Sequence, residues 1–366
     1  MITRNNSATL PNSLVITKES PEFPYLELSM QCYPETVMPG DSIYYLITAK
    51  NLHDESIYIL DYFMPISTDI QTRLKDIEGQ EQSLFFESVT NIEFDRSVSF
   101  AEIKPGNFRI IGVLAICVPP LEDLKEPFWE KHLKKISVNG EKFLLCVTVD
   151  SRGRLNEAEV RPIPPIILEV PITIKPRPEN EMVMIENWHE KTPQKLFPMP
   201  PGQPTGERFQ RKVPKDFMVP GSNVISLHGW NLIYGKKYSQ WHFIRFGNRY
   251  PADPNAPETW QGWKKLEDSL TPSTMRDEIR LTRILIQYCD TKDEKVLTEL
   301  KEWFNGMNEI QRTVMVKNVH NLVQSCSRNE VLLPLFRDIY HAIRQYDIAD
   351  KPELSLKHLR DLGLIE

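Results

Sequence analysis

The chain has 366 residues, 40% hydrophobic and 26% charged, with a net charge of −6. That composition excludes a disordered or fibrous protein, and the length suits two domains with connections. The charge is graded: residues 1–170 carry 16 Lys+Arg against 25 Asp+Glu, residues 171–270 carry 14 against 10, and residues 271–366 carry 14 against 15. The positive surplus in the middle is too dilute for the dense basic stripe of a nucleic-acid binder.

Residues 1–22 are rich in Asn, Ser, Thr and Pro and read as a flexible arm. They hold only short apolar pieces such as Leu14 to Ile16, not the h-region of a signal peptide. The longest apolar run, Ile110 to Val118, falls short of the roughly 20 residues a membrane span needs. The chain therefore reads as cytoplasmic. Its five cysteines (Cys32, Cys117, Cys146, Cys289, Cys326) are isolated, with no CxxC pair. An odd count favours reduced thiols; Cys117 and Cys146 both fall in predicted strands, so geometry leaves one bridge open.

From residue 23 to 175 apolar residues alternate, as in half-buried strands. Leu26, Leu28, Met30 and Cys32 share one face. The turn Pro39-Gly-Asp41 precedes a strand from Ile43 to Leu52, and Asn51 to Asp54 turns into a strand from Ile57 to Phe63. Ser97 to Ile103 and Phe108 to Val118, joined at Lys104-Pro-Gly-Asn107, predict a hairpin. Phe143 to Val149 and Ile166 to Ile174 supply two more strands. Pro119 to Gly140, charged and of helical character, is inserted between strands as a surface excursion.

Pro39-Gly-Asp-Ser-Ile-Tyr-Tyr-Leu-Ile-Thr-Ala-Lys-Asn51 resembles the second-strand region of immunoglobulin-like and fibronectin-like bacterial modules, whose strand often ends at an Asn before a polar turn. Lys104-Pro-Gly-Asn-Phe-Arg-Ile-Ile-Gly112 resembles their late strand. The resemblance covers about residues 24–175 and implies an Ig-like antiparallel β-sandwich; such sandwiches host many functions, so it implies no activity.

Residues 176–270 hold five of the seven tryptophans, and proline-rich pieces that favour extended chain. Met182 to Ile185, Trp188, Phe197, Phe209 and Phe217 are too apolar for a solvated linker, so the segment reads as an irregular strap. PxxP occurs at Pro198 to Pro201 and Pro201 to Pro204, a weak signal for SH3-like recognition. From 271 to 366 the period changes to three or four, predicting a small helical bundle. Thr271-Pro272 offers an N-cap with proline after it, leading Ile279, Leu281, Ile284, Leu285 and Tyr288. Thr291-Lys-Asp-Glu294 has the form of a capping box before Val296, Leu297, Leu300, Trp303 and Phe304, with Gly306 placed to end that helix. Asn308 opens a third helix. Ser327 opens a fourth that Pro334 must kink or delay, and Leu356, Leu359 and Leu362 mark a short last one.

Candidate chemistry is sparse. Gly40-Asp-Ser-Ile43 resembles the nucleophile block of GDSL-type hydrolases, and Asp338-Ile-Tyr-His341 their late DxxH block. That nucleophile should leave a strand and enter a helix, whereas Ser42 precedes a strand and His341 falls inside a predicted helix of another domain. His228 and His242 lack metal-ligand spacing, and Asp253-Pro-Asn-Ala-Pro257 lacks the downstream Glu of a calcium loop. No cofactor or metal is implied. What remains is aromatics interleaved with Arg across 228–263: Trp230, Tyr234, Trp241, Arg245, Arg249, Trp260 and Trp263. Such residues anchor a protein partner or stack on sugar rings, or they cement the strap. The sequence thus reads as a non-catalytic structural or protein-interaction protein, with a carbohydrate-binding module as the first alternative and a serine hydrolase as the second.

Overall fold

The structure is a computed structural model. It describes residues 2–4, 14–19, 23–38, 41–60, 70–75, 81–83, 100–117, 142–155, 160–181, 223–227, 230–234, 241–245, 259–325, 332–347, 360–361 and 363. The chain divides into two compact units, Met1–Pro176 with Met307–Val314 and Ile348–Glu366, and Arg177–Gly306 with Met315–Asp347.

The first unit is built from strands β1 (Ile2–Arg4), β2 (Leu14–Glu19), β3 (Leu26–Tyr33), β4 (Thr36–Val37), β5 (Ser42–Asn51), β6 (Ile57–Leu60), β7 (Ile70–Lys75), β8 (Glu81–Ser83), β9 (Phe100–Ile103), β10 (Phe108–Cys117), β11 (Lys142–Leu155) and β12 (Arg161–Ile174). One sheet has the order β1-β2-β3-β5-β10; the other runs β4-β12-β11-β6-β9, with β7 on β11 and β8 on β7. All pairings are antiparallel except β4 with β12. The two sheets share one core. It takes Leu26, Leu28 and Met30 from β3, Ile43, Tyr45 and Ile47 from β5, Leu145, Val147 and Val149 from β11, and Leu168, Val170 and Ile172 from β12. These are the alternate positions that period-two patterning puts on one face. Tyr45 Oη and Thr72 Oγ1 make a buried polar contact between the sheets at 2.8 Å, and burial raises the Tyr45 phenol above its ordinary pKa.

Asn51 shows why an amide ends β5. It is 1% exposed. Its Nδ2 donates to the Glu55 and Ile103 carbonyls, both at 2.8 Å, and its Oδ1 accepts from His53 N at 2.8 Å. One short side chain satisfies three backbone groups that a buried turn would leave unpaired.

Several expectations change. The predicted flexible arm 1–22 contains β1 and β2, and β2 pairs with β3 from Leu14↔Cys32 to Glu19↔Glu27; β3 has a free ladder there, which six residues of modest β-propensity complete. The predicted hairpin at 104–107 is a corner between sheets. Gly106 turns with φ 69° and Asn107 N bonds the Lys104 carbonyl, but β9 pairs with β6 and β10 with β5. The same turn serves either geometry, and the distant partner strands decide. β12 accommodates its prolines because only Thr173 and Ile174 pair with β4, while Pro164 and Pro165 lie where the β11 ladder shifts register. Cys32, Cys146 and Cys289 form no disulfide, so Cys146 is not bridged to Cys117. The excursion 119–140 lies outside the described residues.

In the second unit the segment expected to be an irregular strap contains a three-stranded sheet and a helix. The sheet is β13 (Asn223–Leu227), β14 (Trp230–Tyr234) and β15 (Trp241–Arg245). Helix α1 (Trp260–Ser269) is capped by the Thr259 hydroxyl, which accepts from Gly262 N. Then come α2 (Thr274–Thr291), α3 (Glu294–Asn305), α4 (Glu309–Ser325), of which residues from Met315 on belong to this unit, and α5 (Leu332–Ile343). α1 packs on α2, α2 on α3, and α5 on both α2 and α3. The Ser273 hydroxyl caps α2, not Thr271. Thr291 closes α2 rather than opening α3, Lys292 follows in the left-handed region at φ 52°, and Asp293 caps α3. Pro334 sits in the first turn of α5 as described, where a missing N–H costs no intrahelical bond. Residues 360–361 are helical, and Gly363 follows at φ 66°. No helix among the described residues is long and apolar enough to cross a membrane.

Candidate interaction surface

Residues of high β-propensity, Val224, Ile225, Ile233, Phe243 and Ile244, place three strands in a stretch bounded by prolines. Register then sorts the residues. Asn223 opposes Tyr234, Ile225 opposes Leu232 and Leu227 opposes Trp230; on the other side Trp230 opposes Arg245, Leu232 opposes Phe243 and Tyr234 opposes Trp241. Directly opposed residues of antiparallel strands share a face, and successive residues alternate. Trp230, Tyr234, Trp241 and Arg245 therefore fall on one face, with Leu232 and Phe243 between the two outer rows. Val224, Ser226, Asn231, Ile233, His242 and Ile244 fall on the other face.

The remaining residues of that set separate. Trp260 is the first residue of α1 and half-buried, whereas Trp263 is 0% exposed and belongs to the core of the helices, not to a surface. The helical period put Trp263 on the same side as Leu266 and Leu270, a signal hidden by the neighbouring prolines. Arg249, His228 and the 253–257 stretch lie outside the described residues. No cluster of three or more His, Cys, Asp or Glu suited to a metal exists among the described residues.

Ser42 and His341 fall in different units. Ser42 is buried at the head of β5, opposite Cys117, and the strand continues to Asn51 without a helix. Asp41 beside it accepts from Met38 N at 2.8 Å, fixing the turn into β5. His341 is exposed on α5. Asp338 accepts from Tyr288 Oη at 3.0 Å, and burial together with that carboxylate raises the Tyr288 pKa.

Two polar constellations in the helical unit had no sequence signal beyond charges set among apolar helix residues. Arg283, 3% exposed at its side chain, reaches Glu267 Oε2 through Nε at 3.0 Å, Glu299 through both Nη atoms at 2.9 and 2.5 Å, and Gln287 Oε1 at 2.9 Å. The Arg283 bonds hold the Glu299 carboxyl below its ordinary pKa. Arg280 sits 3.4 Å from Glu299 and 4.8 Å over the Trp303 ring. These groups answer one another, and the arrangement joins α1, α2 and α3. The second constellation is Glu181, whose Oε2 accepts from Arg177 Nη1 at 2.8 Å and whose Oε1 accepts from Thr271 N at 2.7 Å and Thr271 Oγ1 at 2.5 Å.

No family model matches the chain, and no curated protein matches it. Similar solved structures include Spo0M, a sporulation control protein from Bacillus subtilis, at 11% identity over 61% of this chain and 69% of that one, TM-score 0.20. The ASH/PapD-like domain of human CEP192 is 10% identical over 42% of this chain and 84% of that one, TM-score 0.17. Native alpha-2-macroglobulin from Escherichia coli, from domain MG7 to the C-terminus, is 9% identical over 90% of this chain and 55% of that one, TM-score 0.22. Likenesses this distant carry no inference about fold or activity.

Proposed function

We propose that the chain is a non-catalytic protein-interaction protein, and that the face of β13–β15 bearing Trp230, Tyr234, Trp241 and Arg245 contacts the partner. The observation that carries this is the register, which gathers four separately chosen residues on one face. Trp, Tyr and Arg are the residue types that dominate binding energy at protein interfaces. A sugar platform needs hydrogen-bonding groups beside its rings. Here Ile225, Leu227, Leu232 and Phe243 share the face with the rings, and Asn223 is its one amide, which favours a protein. The two sheets with one core support an Ig-like first unit serving as scaffold, and the packing of α1, α2, α3 and α5 supports a small helical bundle.

The test is affinity capture with the parent and a Trp230→Ala/Trp241→Ala variant, each checked for native helical ellipticity. Specific loss of a captured protein in the variant supports the reading. Identical capture by both, or capture by immobilised oligosaccharides alone, sinks it.

A further inference from the structure

The turn between β5 and β6 carries the chain from one sheet of the first unit to the other. It holds one imidazole nitrogen against two partners that need it in opposite states. His53 Nδ1 accepts the backbone N–H of Glu55 at 3.0 Å, which requires a lone pair on that nitrogen. The same Nδ1 lies 3.0 Å from Asp54 Oδ1. A carboxylate oxygen only accepts, so this second contact is a hydrogen bond only when Nδ1 carries a proton. One nitrogen cannot accept and donate at once. Turning the ring over does not remove the conflict, because Cδ2 would then face both partners.

The surroundings confine the change. Asn51 Oδ1 accepts from His53 N, and Asn51 Nδ2 donates to the Glu55 and Ile103 carbonyls, each at 2.8 Å. Leu52 N donates to the Tyr25 carbonyl at 2.8 Å, and the Tyr25 ring meets the His53 ring edge-on at 4.4 Å. What is left to move is the Asp54 side chain, 91% exposed, and the Glu55 amide. The neighbouring elements bring their own charges. Glu27 of β3 lies 4.0 Å from Lys50 of β5. Glu102 of β9 accepts from Ser56 Oγ at 2.6 Å. Lys104 and Arg109 stand on the turn into β10 and near its start. Among the described residues, Asp54 is the charged group within ion-pair distance of His53.

We propose that His53 is a proton-operated switch of the turn 51–56: the neutral ring holds the Glu55 amide, and the imidazolium releases it and takes the Asp54 carboxylate. Histidine changes charge between about pH 5 and 8, so the exchange lies in a range that a cell or an acidified compartment reaches. At the upper end the Nδ1 lone pair keeps Glu55 bonded. As pH falls Nδ1 gains a proton, the Glu55 N–H loses its acceptor and Asp54 gains a donor. Acid therefore loosens the tip of the turn at Asp54 and Glu55, while Asn51 keeps its two ends in place.

The test is NMR of the full chain, labelled with nitrogen-15 in His and Glu, from about pH 8 to about pH 5. A His53→Gln variant identifies the His53 ring signals by their absence. At the upper pH the unprotonated ring nitrogen should be Nδ1. The Glu55 amide should move upfield on acidification and lose about tenfold in exchange protection, as for a lost hydrogen bond, with the same midpoint as the ring. In Asp54→Ala, a change at an exposed side chain, ring and amide should move together to lower pH by about 0.5, as for one exposed ion pair. A proton on Nδ1 at the upper pH, or a Glu55 amide that stays still while the ring titrates, overturns the proposal. A midpoint that stays or rises in Asp54→Ala refutes the exchange of partners.

Discussion

Trp303 and Phe304 look alike in the sequence, since both close the apolar face of one helix. The structure separates them. Phe304 is 0% exposed, with the Trp303 ring at 5.6 Å and the Tyr346 ring at 6.0 Å. Trp303 is half-buried and holds the Arg280 guanidinium over its outer face. Phe304→Ala therefore leaves a cavity in packed core and costs about 3–5 kcal/mol. Trp303→Ala loses partial burial and a cation–π contact of about 0.5–1 kcal/mol at an open site, about 1–2 kcal/mol together. For a unit of this size each kcal/mol lowers Tm by about 2–4 °C. The larger residue should thus give the smaller loss, about 2–8 °C against about 6–20 °C. Thermal melts followed by far-UV circular dichroism of both variants give the comparison. Equal shifts, or a larger loss in Trp303→Ala, would refute the assignment of Phe304 to the core of these helices.

Lys292 ends α2 in the left-handed region, where a Cβ costs about 1–2 kcal/mol; Lys292→Gly should raise the urea midpoint of the helical unit, and a lowered midpoint would show that the lysine stem packs. At Glu181 burial alone would raise the carboxyl, but the Thr271 and Arg177 hydrogen bonds outweigh it and hold the pKa below the usual glutamate range. A depressed folded pKa contributes stability above the unfolded value of about 4.3 and loses it as pH falls through the folded one. Acid titration of stability should therefore be shallower in Glu181→Gln than in the parent, and parallel curves would contradict the tie. Burial pushes the Cys32 thiol up to about 12, whereas Cys289 is half-buried, so an aromatic disulfide reagent should label Cys289 before Cys32, and Cys32 only on unfolding. In denaturant without reductant all five cysteines should titrate, and three or fewer would reveal a disulfide.

The strands that alternate cleanly were legible: β3, β5, β6 and β10 stand where the apolar period put them, while β11 and β12 contain the expected strands but extend to Leu155 and back to Arg161, where charged residues and prolines break the pattern. β2 was hidden because half of its few residues are polar, and its place depends on the free ladder of β3. β7 alternates over only six residues, with Ile70, Thr72 and Leu74 on one face, and β8 over three, too short a run to mark a strand without the β11 partner. Asn51 was legible as the end of a strand, but not its three hydrogen bonds. In the middle of the chain, prolines on both sides concealed β13–β15 and α1. Thr271 and Thr291 have the residue type of a helix cap, yet neither caps the helix that follows it. One instead bonds Glu181, and the other closes α2 by donating to the Gln287 carbonyl. The aromatic residues were legible as a set. Their gathering on one face, and the removal of Trp263 from it, needed register and burial.

β11 has one further consequence. Its first half carries β7, from Leu144↔Lys75 to Val149↔Ile70, and its last three residues carry β6, from Gly153↔Ile59 to Leu155↔Ile57. On a ribosome the strands β6 to β9 emerge tens of residues before the strand that joins them. Until Leu155 has cleared the exit, the β6–β9 and β7–β8 ribbons have no common neighbour and each presents an open edge. Edges of that kind pair with whatever strand is near. The nascent chain is therefore most exposed to mispairing and to chaperones late in the synthesis of this unit, and slowing translation near residue 155 would lengthen that interval.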